Sequence, residues 1–251
     1  MLIRSTWTLT VSQPTVLPRA YNLELVKQLH RQLGLEIGGE GIPPISASAI
    51  LGYYQTSRDF FTFQPEEFYS LTMCGLREPE AKAISALNLS SKLEFLGAKF
   101  DVINREDEIT SYEALYGALV ANEPEPVKRL KLQFATPTAF AQQGVTLPLP
   151  VPTLMFRSWL ERWNEFAPIY LGSDDLLGYL CGAIMLKQHK IQTRSFQLPR
   201  GYVNGFTGEV TLQVMNGAEP LLANVADLLV VYAKFAGTGI KTRLGMGHTL
   251  V

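Results

Sequence analysis

Apolar and polar positions alternate over residues 3–11, with Ile3, Trp7, Leu9 and Val11 on one side and Arg4, Thr6, Thr8 and Thr10 on the other. That period of two predicts a half-buried strand, closed by Pro14 and Pro18. From Tyr21 to Leu33 the period lengthens to that of a helix. Leu25, Val26, Leu29 and Leu33 make its apolar stripe and Gly34 stands where a left-handed cap belongs. Residues 35–46 hold three Gly and two Pro and predict a loop. Strand patterns around 59–64 and 67–76, a short helix over 78–88 and a strand pair across 92–103 follow. The resulting order, β-α-β-β-α-β, is the ferredoxin-like arrangement.

The second half repeats that plan in outline. A strand at 129–135 is followed by a long connection containing Pro and Gly over 136–153 and a helix near 155–166. Strands over 183–198 and 203–215 come next, then a helix over 219–236 with Leu221, Leu222, Val225, Leu228, Leu229 and Tyr232 at helical spacing. A glycine-rich segment and a short strand end the chain. No residue-level identity links the halves, so the repetition is one of architecture. The acidic, Pro-containing stretch 121–128 marks a boundary between domains 1–125 and 126–251. The fold class expected is α+β, two tandem ferredoxin-like (RNA-recognition-motif-like) domains.

With 47% hydrophobic and 18% charged residues in 251, this is a folding chain with enough interior for a real core. Two cysteines, Cys74 and Cys181, exclude a disulfide framework and a zinc knuckle and suit a reducing cytoplasm. The longest apolar run is interrupted by Asn224 and Asp227, so no membrane span is expected. A formal net charge of −1 gives no support to a globally basic nucleic-acid binder. Its distribution changes that. Residues 101–125 carry seven acids against Arg105 alone, net −6, whereas 187–251 carry seven bases against three acids, net +4. A basic portion of that kind suits a phosphate-bearing partner.

The basic portion also holds Gly237-Thr-Gly-Ile-Lys-Thr-Arg-Leu-Gly-Met-Gly247, two G-x-G pairs flanking Lys241 and Arg243. Glycine admits positive φ and close backbone approach, so successive free N–H groups here could form an anion-binding concavity. It is not a P-loop, since no G-K-[ST] occurs, and Thr242 replaces the third glycine of a dinucleotide fingerprint. Neither H-E-x-x-H nor G-x-S-x-G is present. Asn204–Gly208 lacks the leading cation and later aromatic of an RNA-recognition signature. Base stacking on a bare sheet is therefore not the expected binding mode.

The C-terminal segment, with 132–140 (LQFATPTAF) and 205–214 (GFTGEVTLQV), resembles the CRISPR-associated endoribonucleases that cut precursor CRISPR RNA within its repeats. That is the sixth numbered CRISPR-associated family, in the repeat-associated mysterious protein superfamily. The resemblance implies two tandem ferredoxin-like domains and metal-independent cleavage. In that reaction a 2′-hydroxyl attacks the adjacent phosphate and leaves a 2′,3′-cyclic phosphate. It implies no cofactor and no metal, CRISPR repeat RNA as precursor and guide, and a multi-subunit effector complex as a further partner. The alternative reading is a non-catalytic guide-RNA-binding subunit of such a complex; a small-molecule phosphate enzyme is a distant third.

Such chemistry needs a group titrating near neutrality and positive charge beside the developing oxyanion. The three histidines are scattered, with no second ligand at metal spacing. His30 lies about 85° from the centre of the helix stripe, at the edge of the buried face beside Lys27 and Arg31. It is thus expected to be reachable and to have a lowered pKa. Family members often carry a catalytic histidine at this place, and the resemblance makes His30 the general base or acid. Relatives often have a second catalytic group after this helix; here Tyr53, Tyr54 and Arg58 are the substitutes, with no basis for choosing among them. His189 reads as an RNA contact between Lys187 and Lys190, and His248 as the second catalytic candidate. The RNA-binding set expected is Lys27, Arg31, Lys187, Lys190, Arg194, Gly237, Gly239, Lys241, Arg243, Gly245 and Gly247.

Overall fold

Strand β1 (Leu2–Thr10) turns Ile3, Trp7 and Leu9 into the first core, where they meet Leu25 and Leu29 of the first long helix. The computed structural model describes residues 1–35, 41–89, 92–172 and 174–251. After β1 come β2 (Thr15–Pro18), α1 (Asn22–Leu33), β3 (Ile45–Ala47), β4 (Gln55–Thr56), β5 (Phe60–Phe63), β6 (Tyr69–Gly75), α2 (Glu78–Ala86), β7 (Lys92–Phe95) and β8 (Ala98–Thr110). The first sheet has the order β3-β6-β1-β8-β7, antiparallel throughout. Without the added hairpin strand β7, this is the ferredoxin-like order, with both helices feeding one core. Helix α1 ends at Gly34 in the left-handed region, as the sequence predicts.

One strand falls elsewhere than expected. Residues 60–63 do not join the main sheet; they pair with β2 and β4 in a separate three-stranded sheet. The second strand of the ferredoxin plan is β3, inside the stretch that glycine and proline content marked as loop. Three residues, all buried, carry no alternation to read. Within that same predicted loop, positions 36–40 lie outside the described residues.

The second half runs α3 (Tyr112–Tyr116) with a π turn to Ala121, β9 (Arg129–Thr138), β10 (Phe140–Gln142), β11 (Val145–Leu147), α4 (Pro152–Phe166), α5 (Asp174–Ala183), β12 (Ile184–Gln197), β13 (Tyr202–Val214), α6 (Pro220–Ala236) and β14 (Thr249–Leu250). The small β10–β11 hairpin lies within the predicted connection. Its main sheet, β12-β13-β9-β14, is again antiparallel and again ferredoxin-like. The protein is α+β, two such domains in tandem. Phe134, Trp159, Trp163, Phe206, Leu228 and Tyr232 anchor the second core, which also takes in Leu2 and Leu76 from the first sheet. Tyr112 donates its hydroxyl to Leu76 O at 2.8 Å across that junction.

Helix α6 is the element that locks the halves together. A helix C-terminus leaves carbonyls unpaired. Here the first sheet supplies the missing donors: Ser46 Oγ to Phe235 O at 2.6 Å and Cys74 Sγ to Lys234 O at 3.7 Å. Lys234 in turn pairs with Glu108 on β8. The chain that leaves α6 is therefore aimed along the domain interface. Among the described residues no helix is long and apolar enough to cross a membrane.

Candidate functional site

The glycine-rich loop begins where α6 stops. Trp159 Nε1 donates to Thr238 Oγ1 at 2.9 Å, and Thr238 Oγ1 lies 2.8 Å from Thr249 Oγ1. Gly239 N donates to Ser158 Oγ at 2.9 Å, and Arg162 Nη2 donates to Gly239 O at 2.6 Å. Thr238 N and Gly247 O close the base of the loop at 2.8 Å, while Ile240 N and Gly247 N donate to Ala139 O and Pro137 O. His248 N donates to Thr136 Oγ1 at 2.9 Å. Two glycines are sterically required. A Cβ on Gly239 (φ 78°) would sit 2.2 Å from Ala139 O, and one on Gly247 (φ 71°) only 2.0 Å from Thr238 O.

This corrects the expectation of a concavity of free N–H groups. The N–H groups of Gly237, Gly239 and Gly247 are bonded inside the protein. Gly245 is buried against Ala49 and Asn22 of the first domain. The four glycines build and seat the loop, and the part turned outward is the tip. There Lys241 adopts a left-handed conformation (φ 56°) before the short 3-10 turn Thr242–Leu244. Lys241 is exposed and Arg243 half-buried.

The 3-10 turn packs on α1 and β3, and so the tip of the second domain lies on the helix that carries His30. His30 is 3% exposed, not at a reachable edge as its angle from the helix stripe implied. The stripe describes only what the first domain covers; the loop covers the flank. His30 Nδ1 is buried without a partner among the described residues. Burial, and then the Arg243 guanidinium, push the imidazole pKa below its usual 6.5, so the ring is neutral at pH 7. His248, also buried, is pushed down to about 4 by burial and by Arg4. His189 stands exposed on β12.

Beside the loop, a cleft of about 460 Å³ opens between the domains. Asn22 and Ala49, which touch Gly245, line it at one end, and Arg194, Gln192 and Thr136 line it from the second domain. Tyr53 and Tyr54 are both drawn into it; Arg58 lies in the turn between β4 and β5 and does not line it. Tyr54 packs on Phe61 and Phe63 at 4.7 and 5.3 Å between ring centroids. Burial raises the Tyr54 pKa, against the pull of Arg19 and Arg194. Arg19, stacked 5.3 Å over Phe61, is a lining cation that sequence reasoning missed. Nothing in its local pattern distinguishes it from a surface arginine. His30 is not among the cleft-lining residues, and so the cleft does not bring either tyrosine to it.

A family model for the CRISPR-associated endoribonuclease Cas6 matches residues 132–249, which include β9, the whole glycine loop and β14. The chain is 30% identical over 129 residues to the Cas6 endoribonuclease of Streptococcus thermophilus and 29% identical over 120 residues to that of Mycobacterium tuberculosis. Over nearly its whole length it superposes on a solved Cas6 product complex, with a TM-score of 0.74 at 21% identity, covering 99% of this chain and 98% of that one. Over residues 132–249 the chain is similar to the Cas6 family. The matched segments are 51% and 48% of this chain, and they span 52% and 38% of the two curated relatives. Thermus thermophilus Cas6 (TM-score 0.71, 20% identity, 100% of this chain and 98% of that one) and a Cas6-related protein of Pyrococcus furiosus (0.65, 15%, 100% and 98%) share the fold.

The cations expected to hold RNA divide into three groups. Lys241 and Arg243 mark the loop tip. Lys187, Lys190 and Arg194 stand exposed along β12, an edge strand whose outer side is unpaired in the sheet order. Lys27 and Arg31 lie on the outer face of α1, where Lys27 pairs with Glu24 at 2.6 Å and Arg31 donates to Gln28 at 3.1 Å. Among the described residues no three His, Cys, Asp or Glu side chains converge as a metal-holding group.

Proposed function

We propose that this chain is an endoribonuclease that cleaves precursor CRISPR RNA within its repeats, with His30 as the general base. The observation that carries the reading is His30 itself: buried and neutral, with a partnerless Nδ1, beneath a loop that presents Arg243 and Lys241. The relatives named as Cas6 endoribonucleases, and the Cas6 structures solved as product and substrate-mimic complexes, support the substrate class.

In this reading the loop-tip cations take the scissile phosphate. RNA seated at the loop tip shifts the flank that covers His30, and the neutral ring then accepts the proton of the neighbouring 2′-hydroxyl. The 2′-oxygen forms its bond to phosphorus as the bond to the 5′-oxygen breaks; that oxygen takes a proton from water and leaves as a hydroxyl, and His30 returns its proton to the solvent. A 2′,3′-cyclic phosphate remains. Lys241 and Arg243 hold the charge that accumulates on the non-bridging oxygens. The nucleophile belongs to the RNA and no step calls on a metal. The strand continues along the basic edge of β12 and past Tyr53 and Tyr54 in the cleft. The four glycines take part as the frame that sets the cations.

The test is incubation of the protein with repeat RNA in EDTA. Cleavage should persist, leave a cyclic phosphate, and vanish when the scissile nucleotide is 2′-deoxy. Tight, salt-sensitive binding with no product would instead make the chain a non-catalytic guide-RNA-binding subunit.

A further inference from the structure

A second cavity of about 530 Å³ lies between the glycine loop, α4 and residues 41–43 of the first domain. Arg157, Ser158, Glu161, Arg162, Gly239 and Lys241 contribute to its wall. Its unusual member is Arg162. This side chain is 8% exposed, and it joins none of the ion pairs among the described residues. Nη1 donates to Ser158 O and Oγ at 2.8 and 2.5 Å, and Nη2 donates to Gly239 O at 2.6 Å. All three acceptors are neutral. Nε is buried with no partner among the described residues.

A guanidinium has five N–H donors in a fixed fork. Ser158 and Gly239 occupy three of them, leaving the Nε–H and one Nη2–H. A buried charge is costly unless a counter-charge meets it. Neutral acceptors fix the fork in place, and burial still holds the guanidinium pKa below its ordinary value despite the pull of Tyr232 and Glu161. Arg157 and Lys241 are both exposed at the cavity and add two cations, and among the described residues Glu161 is the one acid on the wall. The cavity therefore has a surplus of positive charge around a preorganised fork.

We propose that this cavity is a second phosphate subsite, and that it takes a phosphodiester of the bound RNA one or more nucleotides away from the cleavage point. The inference rests on the ribonuclease reading for its occupant and not for its chemistry. Lys241 lines this cavity while Arg243, two residues on, faces His30. The loop tip thus straddles two anion positions, and a strand crossing it has one phosphate on each side. Arg162 serves twice, pinning Gly239 and charging the pocket.

The experiment compares wild type with Arg157→Glu and Arg157→Ala, since Arg157 is exposed and makes no bond the fold depends on. One arm uses inorganic phosphate alone and reads the melting temperature against chloride at equal ionic strength. Phosphate should stabilise wild type, and Arg157→Glu should abolish the shift. The other arm uses a fluorescent repeat RNA. Arg157→Glu should weaken binding about tenfold, and Arg157→Ala should lower the slope of log K on log salt by about one. RNA binding equal to wild type in both, with an unaltered slope, overturns the proposal while leaving the ribonuclease reading intact. A phosphate shift that Arg157→Glu removes, in a protein that binds no RNA, overturns the occupant and the ribonuclease reading together.

Discussion

The two halves share a topology and use it in opposite ways. In the first, the second strand of the ferredoxin plan is β3, three buried residues, and the fourth is β8, thirteen residues long. In the second, the second strand is β12, fourteen residues, and the fourth is β14, only two. The two short strands mark the interface: the turn just before β14 packs on β3. The two long strands run outward with opposite charge, Glu106, Asp107 and Glu108 on β8 and Lys187, Lys190 and Arg194 on β12. The glycine loop sits where these short strands meet, with its 3-10 turn packed on β3 and on the helix that carries His30. A near-neutral chain thereby has one acidic and one basic edge.

Breaking the junction at His30 should have the largest effect. On the proposed reading, His30→Ala lowers single-turnover cleavage by about 10²–10⁴ with RNA affinity kept, measured on saturated RNA; His189→Ala leaves the rate alone. Next is the loop's seat. Gly247→Ala places a Cβ 2.0 Å from Thr238 O at φ 71°, whereas Gly144, φ 80° in the β10–β11 turn, has open space around it. Left-handed strain alone costs about 1–2 kcal/mol. Denaturant melts should show Gly144→Ala near that value and Gly247→Ala clearly beyond it, by several kcal/mol in all.

His248 sharpens the comparison through pH. Its folded pKa of about 4 lies below the ordinary 6.5, so the unfolded chain binds the extra proton between those values. Stability should be full above pH 6.5 and fall as pH drops toward 4, by at most about 3 kcal/mol. His248→Gln should flatten that slope in urea melts at several pH values. Reversing the edges should act more gently and unequally. Lys187→Glu with Lys190→Glu should weaken RNA binding about tenfold and reduce its salt dependence. Glu106→Lys on β8 should leave both nearly unchanged.

Much of this was legible in the chain. Alternation located β1 and helical spacing located α1 and α6, because each is long enough for its period to repeat. β3 was not legible, since three residues have no period, whereas the short terminal strand β14 was expected after the glycine-rich segment. The glycine loop stood out, but its role was misread: glycines that admit close approach by a ligand equally admit close approach by Ala139 and Thr238. His30 was found through the family resemblance and placed wrongly on the surface. Its angle on α1 says what the first domain buries and nothing of a loop arriving from residue 243. Arg162 and Arg19 gave no signal, because what sets them apart is which groups surround them.

The central claim is that Arg243, reaching across the interface, helps hold His30 neutral. The direct measurement is the pH dependence of single-turnover cleavage in wild type and in Arg243→Gln. The account predicts an acid limb with its midpoint below pH 6.5 in wild type, moved to higher pH when the neighbouring charge is removed. A wild-type limb at or above 6.5, unmoved by Arg243→Gln, would contradict it.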